Sequence, residues 1–171
     1  MSLKIDITKL FRVLSQHLKD LKSSKFVCNT EASFESWFQV ELAQTLNEMG
    51  FNEIKTFYHY APDYSKKADL CVKTSDGEII FEIKCFVKNQ DSNKKERFPE
   101  QIKMLEESLL VDESVIQIIT IITFFGYNEE NMDKYMINFF GNRDWIIKKP
   151  EKIIPEYPLY LAITCKSKSH N

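Results

Sequence analysis

Along the chain, the spacing of apolar residues switches repeatedly between the helical and the strand period. In IDITKLFRVLSQHLKDLK, residues Ile7, Leu10, Phe11, Leu14, Leu18 and Leu21 fall on one stripe and predict an amphipathic N-terminal helix that packs on the body of the protein or contacts a partner. In SFESWFQVELAQTLNEMGF, residues Phe34, Phe38, Leu42, Leu46 and Met49 recur in the same way, and Gly50 is placed to end the helix. Three strand-like segments follow, EIKTFYHY, KKADLCVK and GEIIFEIKCF, with Asp76-Gly77 between the last two as a two-residue turn signal of type I′. FPEQIKMLEESLL predicts a further helix, with Phe98, Ile102, Leu105 and Leu109 on one face and Pro99 near its start. SVIQIITIITFF is a β-branched run of the kind that is buried on both faces of a sheet. ENMDKYMINFF predicts another helix and PLYLAITC a last strand, while residues 141–158, rich in Lys, Pro and aromatics, read as a loop with short structure.

These elements define an α/β protein. With 171 residues and 43% hydrophobic content the chain can bury a sizeable core, and it reads as one domain: an N-terminal helix over 1–25, a core over 30–125, and a C-terminal helix and strand over 126–171. VIQIITIITFF is far too short to span a bilayer, so no membrane association and a cytoplasmic location are expected. Cys28, Cys71, Cys85 and Cys165 form no C-x-x-C pair and indicate neither a zinc site nor a disulfide framework; His17, His59 and His170 are too separated to form a metal cluster. No Gly-rich phosphate loop is present, so no nucleotide cofactor is indicated.

The chemistry lies in the predicted hairpin. A turn at Asp76-Gly77 sets Ser75 opposite Glu78, Lys73 opposite Ile80, Cys71 opposite Glu82 and Asp69 opposite Lys84. Because side chains alternate with period two, Asp69, Glu82 and Lys84 then emerge on one face. Two carboxylates beside an ammonium form a site for a hard cation with a proton-handling neighbour. This arrangement resembles the PD-(D/E)xK superfamily of restriction-endonuclease-like nucleases, whose signature is an acidic residue on one strand and E-x-K on the next, matched here by Asp69 and Glu82-Ile83-Lys84. Pro62-Asp63 in YAPDYSKK is the other literal match, but it lies in a turn-like stretch before the hairpin, and Asp69 is preferred. The predicted order of helix, three strands, helix and strand agrees with the αβββαβ core of that superfamily.

The resemblance implies a restriction-endonuclease-like αβββαβ core, with a central mixed sheet flanked by helices and an extra N-terminal helix. It implies a Mg²⁺-dependent DNA endonuclease, with Mn²⁺ able to substitute, in which Asp69, Glu82 and the Ile83 carbonyl bind metal and Lys84 orients or deprotonates the attacking water. Members of the superfamily often carry an acid on the first core helix. Glu35, about 20° from Leu42 on the helical wheel, is the candidate, and Glu41, about 100° away, is the reserve. Gln101 and Lys103 on the second helix, and Lys94 and Lys95 in the basic stretch VKNQDSNKKERF, are candidate substrate contacts. By analogy the enzyme is of restriction type and a homodimer. The alternative is a catalytically silent or partner-dependent subunit that keeps the fold as a DNA-binding or scaffold protein; a third reading is an α/β interaction protein with a coincidental D…ExK.

A net charge of −2 gives no global attraction to phosphates. The distribution is uneven: residues 1–25 and 148–171 each carry an excess of basic over acidic side chains, as local backbone-tracking patches would require.

Overall fold

In the computed structural model the β-branched run becomes the centre of the molecule. Residues 4–21, 34–60, 67–88, 92–141 and 143–168 are described. Helices α1 (Ile7–Asp20) and α2 (Phe34–Glu48) precede strands β1 (Ile54–His59), β2 (Lys67–Thr74) and β3 (Gly77–Val87). Then come α3 (Ser92–Val111), β4 (Val115–Phe125), α4 (Glu129–Phe140), β5 (Ile146–Ile154) and β6 (Leu159–Ser167). Among the described residues this is an α/β fold of four helices on one six-stranded mixed sheet in the order β1-β2-β3-β4-β6-β5. β3 and β4 are parallel and joined through α3; all the other neighbours are antiparallel.

Helices cover both faces, and this explains the unbroken apolar runs of the central strands. On one side Leu10, Leu14 and Leu18 of α1 and Phe38, Leu42 and Leu46 of α2 pack with Leu70, Val72, Phe81 and Ile119. On the other, Phe98, Ile102 and Leu105 of α3 and Met136 and Phe139 of α4 pack with Ile80, Phe86, Ile118 and Ile122. Each fully buried leucine contributes about 1.5–3 kcal/mol relative to exposure. Every residue of β4 except Phe125 is buried, as a strand covered on both faces requires.

The N-terminal helix belongs to this body. Asp6 caps it by accepting from the Thr8 and Lys9 N–H groups. The Ile5 N–H donates to Gln117 Oε1 at 2.8 Å, and Gln117 Nε2 returns a bond to the Ile5 carbonyl at 3.0 Å, so the chain enters α1 at a fixed point on β4. His17 Nε2 lies 2.8 Å from Glu41 Oε2 and joins α1 to α2.

Four expectations are corrected. Residues 146–154, expected to be loop, form the edge strand β5; bulges near Lys148/Glu151 and Lys152/Ile154 break its period-two pattern, and an edge tolerates Pro150. The helix expected to start near Pro99 begins at Ser92, so Pro99 lies inside it. The β2–β3 turn is centred on Ser75 and Asp76, with Thr74 paired to Gly77 and Lys73 to Glu78. It is not a type I′ turn, because neither central residue has positive φ. Cys71 consequently faces Ile80, not Glu82.

Gly77 is required for space. It has φ +145°, and a Cβ there would meet the Ser114 carbonyl oxygen at 2.5 Å, where the backbones of β3 and the α3–β4 turn cross. Phe57, at φ 52°, is the sole non-glycine with positive φ among the described residues. It turns β1 over: Ile54 packs with the α1/α2 side and Tyr58 with the α3/α4 side, although four residues of regular strand would keep them on one face. Gly77→Ala should therefore destabilise the protein by about 1–3 kcal/mol, read as a lower thermal midpoint. A midpoint equal to wild type would remove the close-approach argument.

Candidate active site

The site is built where β2 leaves β3. The two strands pair from Thr74–Gly77 to Leu70–Phe81, after which β3 continues along β4 as far as Val87 without β2 beside it. Backbone groups alternate between the two edges of a strand, so the Ile83 and Cys85 N–H groups both point to the edge that β2 has vacated. Carboxylates take them. Asp69 Oδ2 accepts from the Ile83 N–H at 2.7 Å, and Glu35 Oε1, from the first turn of α2, accepts from the Cys85 N–H at 3.3 Å. Gln39 of α2 donates to the Asp69 carbonyl, which fixes the backbone that carries the carboxylate.

The predicted convergence holds although the predicted register does not. Continuing the observed pairing sets Asp69 beside Glu82 instead of beside Lys84. The difference is two residues, and a shift of two leaves every side chain on its face. Lys84 Nζ lies 2.7 Å from Glu82 Oε1, and both side chains are largely buried. Thr120, opposite Glu82 on β4, is fully buried, and its hydroxyl has no partner among the described residues.

Burial dominates the electrostatics. Desolvation raises Glu82 to about 7, assisted by the Asp69 charge and opposed by Lys84. Burial also raises Asp69, against the Ile83 N–H and Lys84. At Lys84 burial works against the ammonium, but Glu82, Asp69 and Glu35 together hold it above the ordinary lysine range. The three groups thus feel one another's charge, as a compact site requires.

Each strand acid keeps one carboxylate oxygen, Asp69 Oδ1 and Glu82 Oε2, without a hydrogen bond from the described residues. The Ile83 carbonyl lies on the same strand edge as its N–H. No ready-made group of three His, Cys, Asp or Glu ligands occurs among the described residues. Two carboxylates and a carbonyl are nevertheless hard oxygen donors of the number that Mg²⁺ takes from protein, and a cation would offset the cost of ionising Glu82 in place. The donor set fits that ion.

Next to this pair, Glu35, Lys84, Asn93, Lys94, Arg97 and Gln101 line a cleft of about 270 Å³. Glu35 therefore stands in the site, bound also by Lys94 Nζ at 3.3 Å, whereas the reserve acid Glu41 is occupied with His17. Of the four candidate substrate contacts, Lys94 and Gln101 line this cleft. Lys95 does not: its ammonium sits over Tyr127 and Tyr135 at 4.9 and 5.1 Å. Lys103 is exposed and outside the cleft. Pro62-Asp63 lies outside the described residues. Asn93 and Arg97 were not anticipated, because the helix was begun too late; carried back to Ser92, its i, i+4, i+8 spacing with Gln101 would have shown them.

Comparison of the chain with protein-family models, curated proteins and solved structures gives no match. The chemistry of the site therefore rests on its own geometry. No described helix is long and apolar enough to cross a membrane.

The raised Glu82 has a thermodynamic sign. A carboxylate with a folded pKa above its unfolded value favours folding when protonated, so metal-free protein should lose stability as pH rises from about 4.5 to about 7 and then level off. Asp69 adds in the same direction. Glu82→Gln should flatten most of this slope and stabilise the metal-free protein at pH 8 by on the order of 1–3 kcal/mol, measured by denaturation across pH. An unchanged slope in the variant would show that Glu82 is already ionised without penalty.

Proposed function

We propose that the protein is a Mg²⁺-dependent nuclease of the PD-(D/E)xK type that hydrolyses phosphodiester bonds in DNA as a restriction-type endonuclease. The observation that carries this reading is the meeting of Asp69, Glu82 and Lys84 at the opened edge of β3, beside a cleft lined with cationic and amide side chains. The element order gives further support: α2, β1, β2, β3, α3 and β4 follow the αβββαβ order of that superfamily, with β3 and β4 parallel.

In this reading Asp69, Glu82 and the Ile83 carbonyl hold the ion, and Glu35 takes a second ion or a bound water. A bound ion would supply an acidified water and offset the charge that builds on the phosphoryl oxygens. Lys84, kept as an ammonium by Glu82 Oε1, would orient that water by hydrogen bonding, and the proton the water loses would pass to solvent. Asp69, seated on the Ile83 N–H, presents its other oxygen without a change of backbone. Glu82 must be ionised to hold the ion, so proton and metal compete for it and the apparent Mg²⁺ affinity should rise as pH increases toward about 7. A homodimer that cuts both strands belongs to the same proposal.

One observation favours a second reading, a silent nuclease-fold scaffold: each acid of the strand pair already engages a partner within the chain, Glu82 with Lys84 and Asp69 with the Ile83 N–H. Two measurements separate the readings. Calorimetric titration with Mg²⁺ or Mn²⁺ should show a site that Asp69→Ala removes; a scaffold shows none. Supercoiled plasmid incubated with Mg²⁺ should be nicked or linearised by wild type, with Lys84→Ala reduced by about 100-fold or more under conditions where circular dichroism shows the variant still folded. Equal cleavage by Lys84→Ala would take Lys84 out of the mechanism, and absence of cleavage together with absence of metal binding would favour the scaffold.

A further inference from the structure

Three cations line the cleft beside the carboxylate pair, and two of them are neutralised where they stand: Lys84 by Glu82 at 2.7 Å and Lys94 by Glu35 at 3.3 Å. Arg97 makes no ion pair or hydrogen bond with the described residues, and neither do the side-chain amides of Asn93 and Gln101. All three project from α3 at i, i+4 and i+8, so they form one row of unused donors along two helical turns. The row faces the cleft. Its borders include Lys84 but neither Asp69 nor Glu82, so it opens beside the proposed metal-binding pair and not over it.

We propose that Arg97, flanked by Asn93 and Gln101, grips the phosphate next to the scissile one, so that the preferred substrate is a strand carrying at least two consecutive phosphodiesters. The inference rests on the nuclease reading and specifies its substrate. A scissile phosphate has to reach the open oxygens of Asp69 and Glu82, and Lys84 and Glu35 are the residues common to that place and the cleft. The neighbouring phosphate of the same strand then falls in the cleft, where among the described residues the remaining uncompensated charge is one guanidinium. Its planar fork binds two phosphate oxygens at once, and the amides on either side donate to the same group. Lys84 and Lys94, tied to carboxylates, add little net charge to this place.

The test uses the full chain, Mg²⁺ and an oligonucleotide duplex containing a cut position mapped on plasmid. Single uncharged methylphosphonates replace the phosphate on either side of the scissile bond in turn. For wild type, one of the two replacements should lower kcat/KM by about 10- to 100-fold. Arg97→Ala should raise KM about 10-fold or more on the unmodified duplex with kcat nearly unchanged, and should be insensitive to that replacement; Arg97→Lys should recover part of the loss. Arg97 is exposed, so the melting temperature of the variants should match wild type. An unaltered KM in Arg97→Ala, or equal sensitivity of wild type and variant to the methylphosphonate, overturns the assignment. A fall in kcat at constant KM overturns it too, by placing Arg97 on the scissile phosphate. These failures occur in an enzyme that still cleaves and still depends on Lys84; a wild type that cleaves nothing removes the nuclease reading and this inference with it.

Discussion

The separation of β2 from β3 beyond the Leu70–Phe81 pair is the constraint on which the site depends. A strand edge left without a neighbour exposes backbone donors that must be satisfied. Here two of them are satisfied by carboxylates drawn from different elements, Asp69 from β2 and Glu35 from α2. The cost of opening the sheet is thereby turned into a device that gathers acids. Gln39 fixes the backbone on one side of the opening, and the long β3–β4 ladder holds the strand straight on the other.

What the opened edge gathers is a set of charges that burial makes uncomfortable. Glu82 is nearly inaccessible and resists ionisation, with Lys84 as its immediate partner and, on the next strand, a Thr120 hydroxyl without a partner among the described residues. A buried ion pair of this kind contributes little to net stability, because desolvation of the two ions offsets their attraction. Elsewhere the same physics is used structurally: Glu106 of α3 binds Arg143, Trp145 and Lys166 and ties the helix to the far strands, holding the row of Asn93, Arg97 and Gln101 over the cleft.

Much of the site was legible because sheet geometry forgives one kind of error. The turn was expected one residue too late and the register was off by two, yet Asp69, Glu82 and Lys84 still share a face, since period-two alternation is unchanged by an even shift. The details that depend on absolute register were lost. Cys71 faces Ile80, and the Asp69 carboxylate accepts from the Ile83 N–H beyond the last paired residues. The turn itself was misread because Gly77 answers the Ser114 carbonyl, a contact from far along the chain, and not the dihedral demand of a type I′ turn. The start of α3 was hidden by Pro99, which reads as a helix beginning but here lies within the helix.

The sequence by itself determined the alternation of helices and strands, the two-faced burial of β4, and the sharing of one face by the two strand acids and the lysine. Those are local properties, set by periodicity and propensity. Only the tertiary structure decided where β2 parts from β3, which helix acid reaches the strand edge, that Lys95 is spent on two tyrosines while Arg97 faces the cleft, and that residues 146–154 complete the sheet as an edge strand. Each of these turns on which surfaces meet across long sequence separations, and no local pattern carries that information.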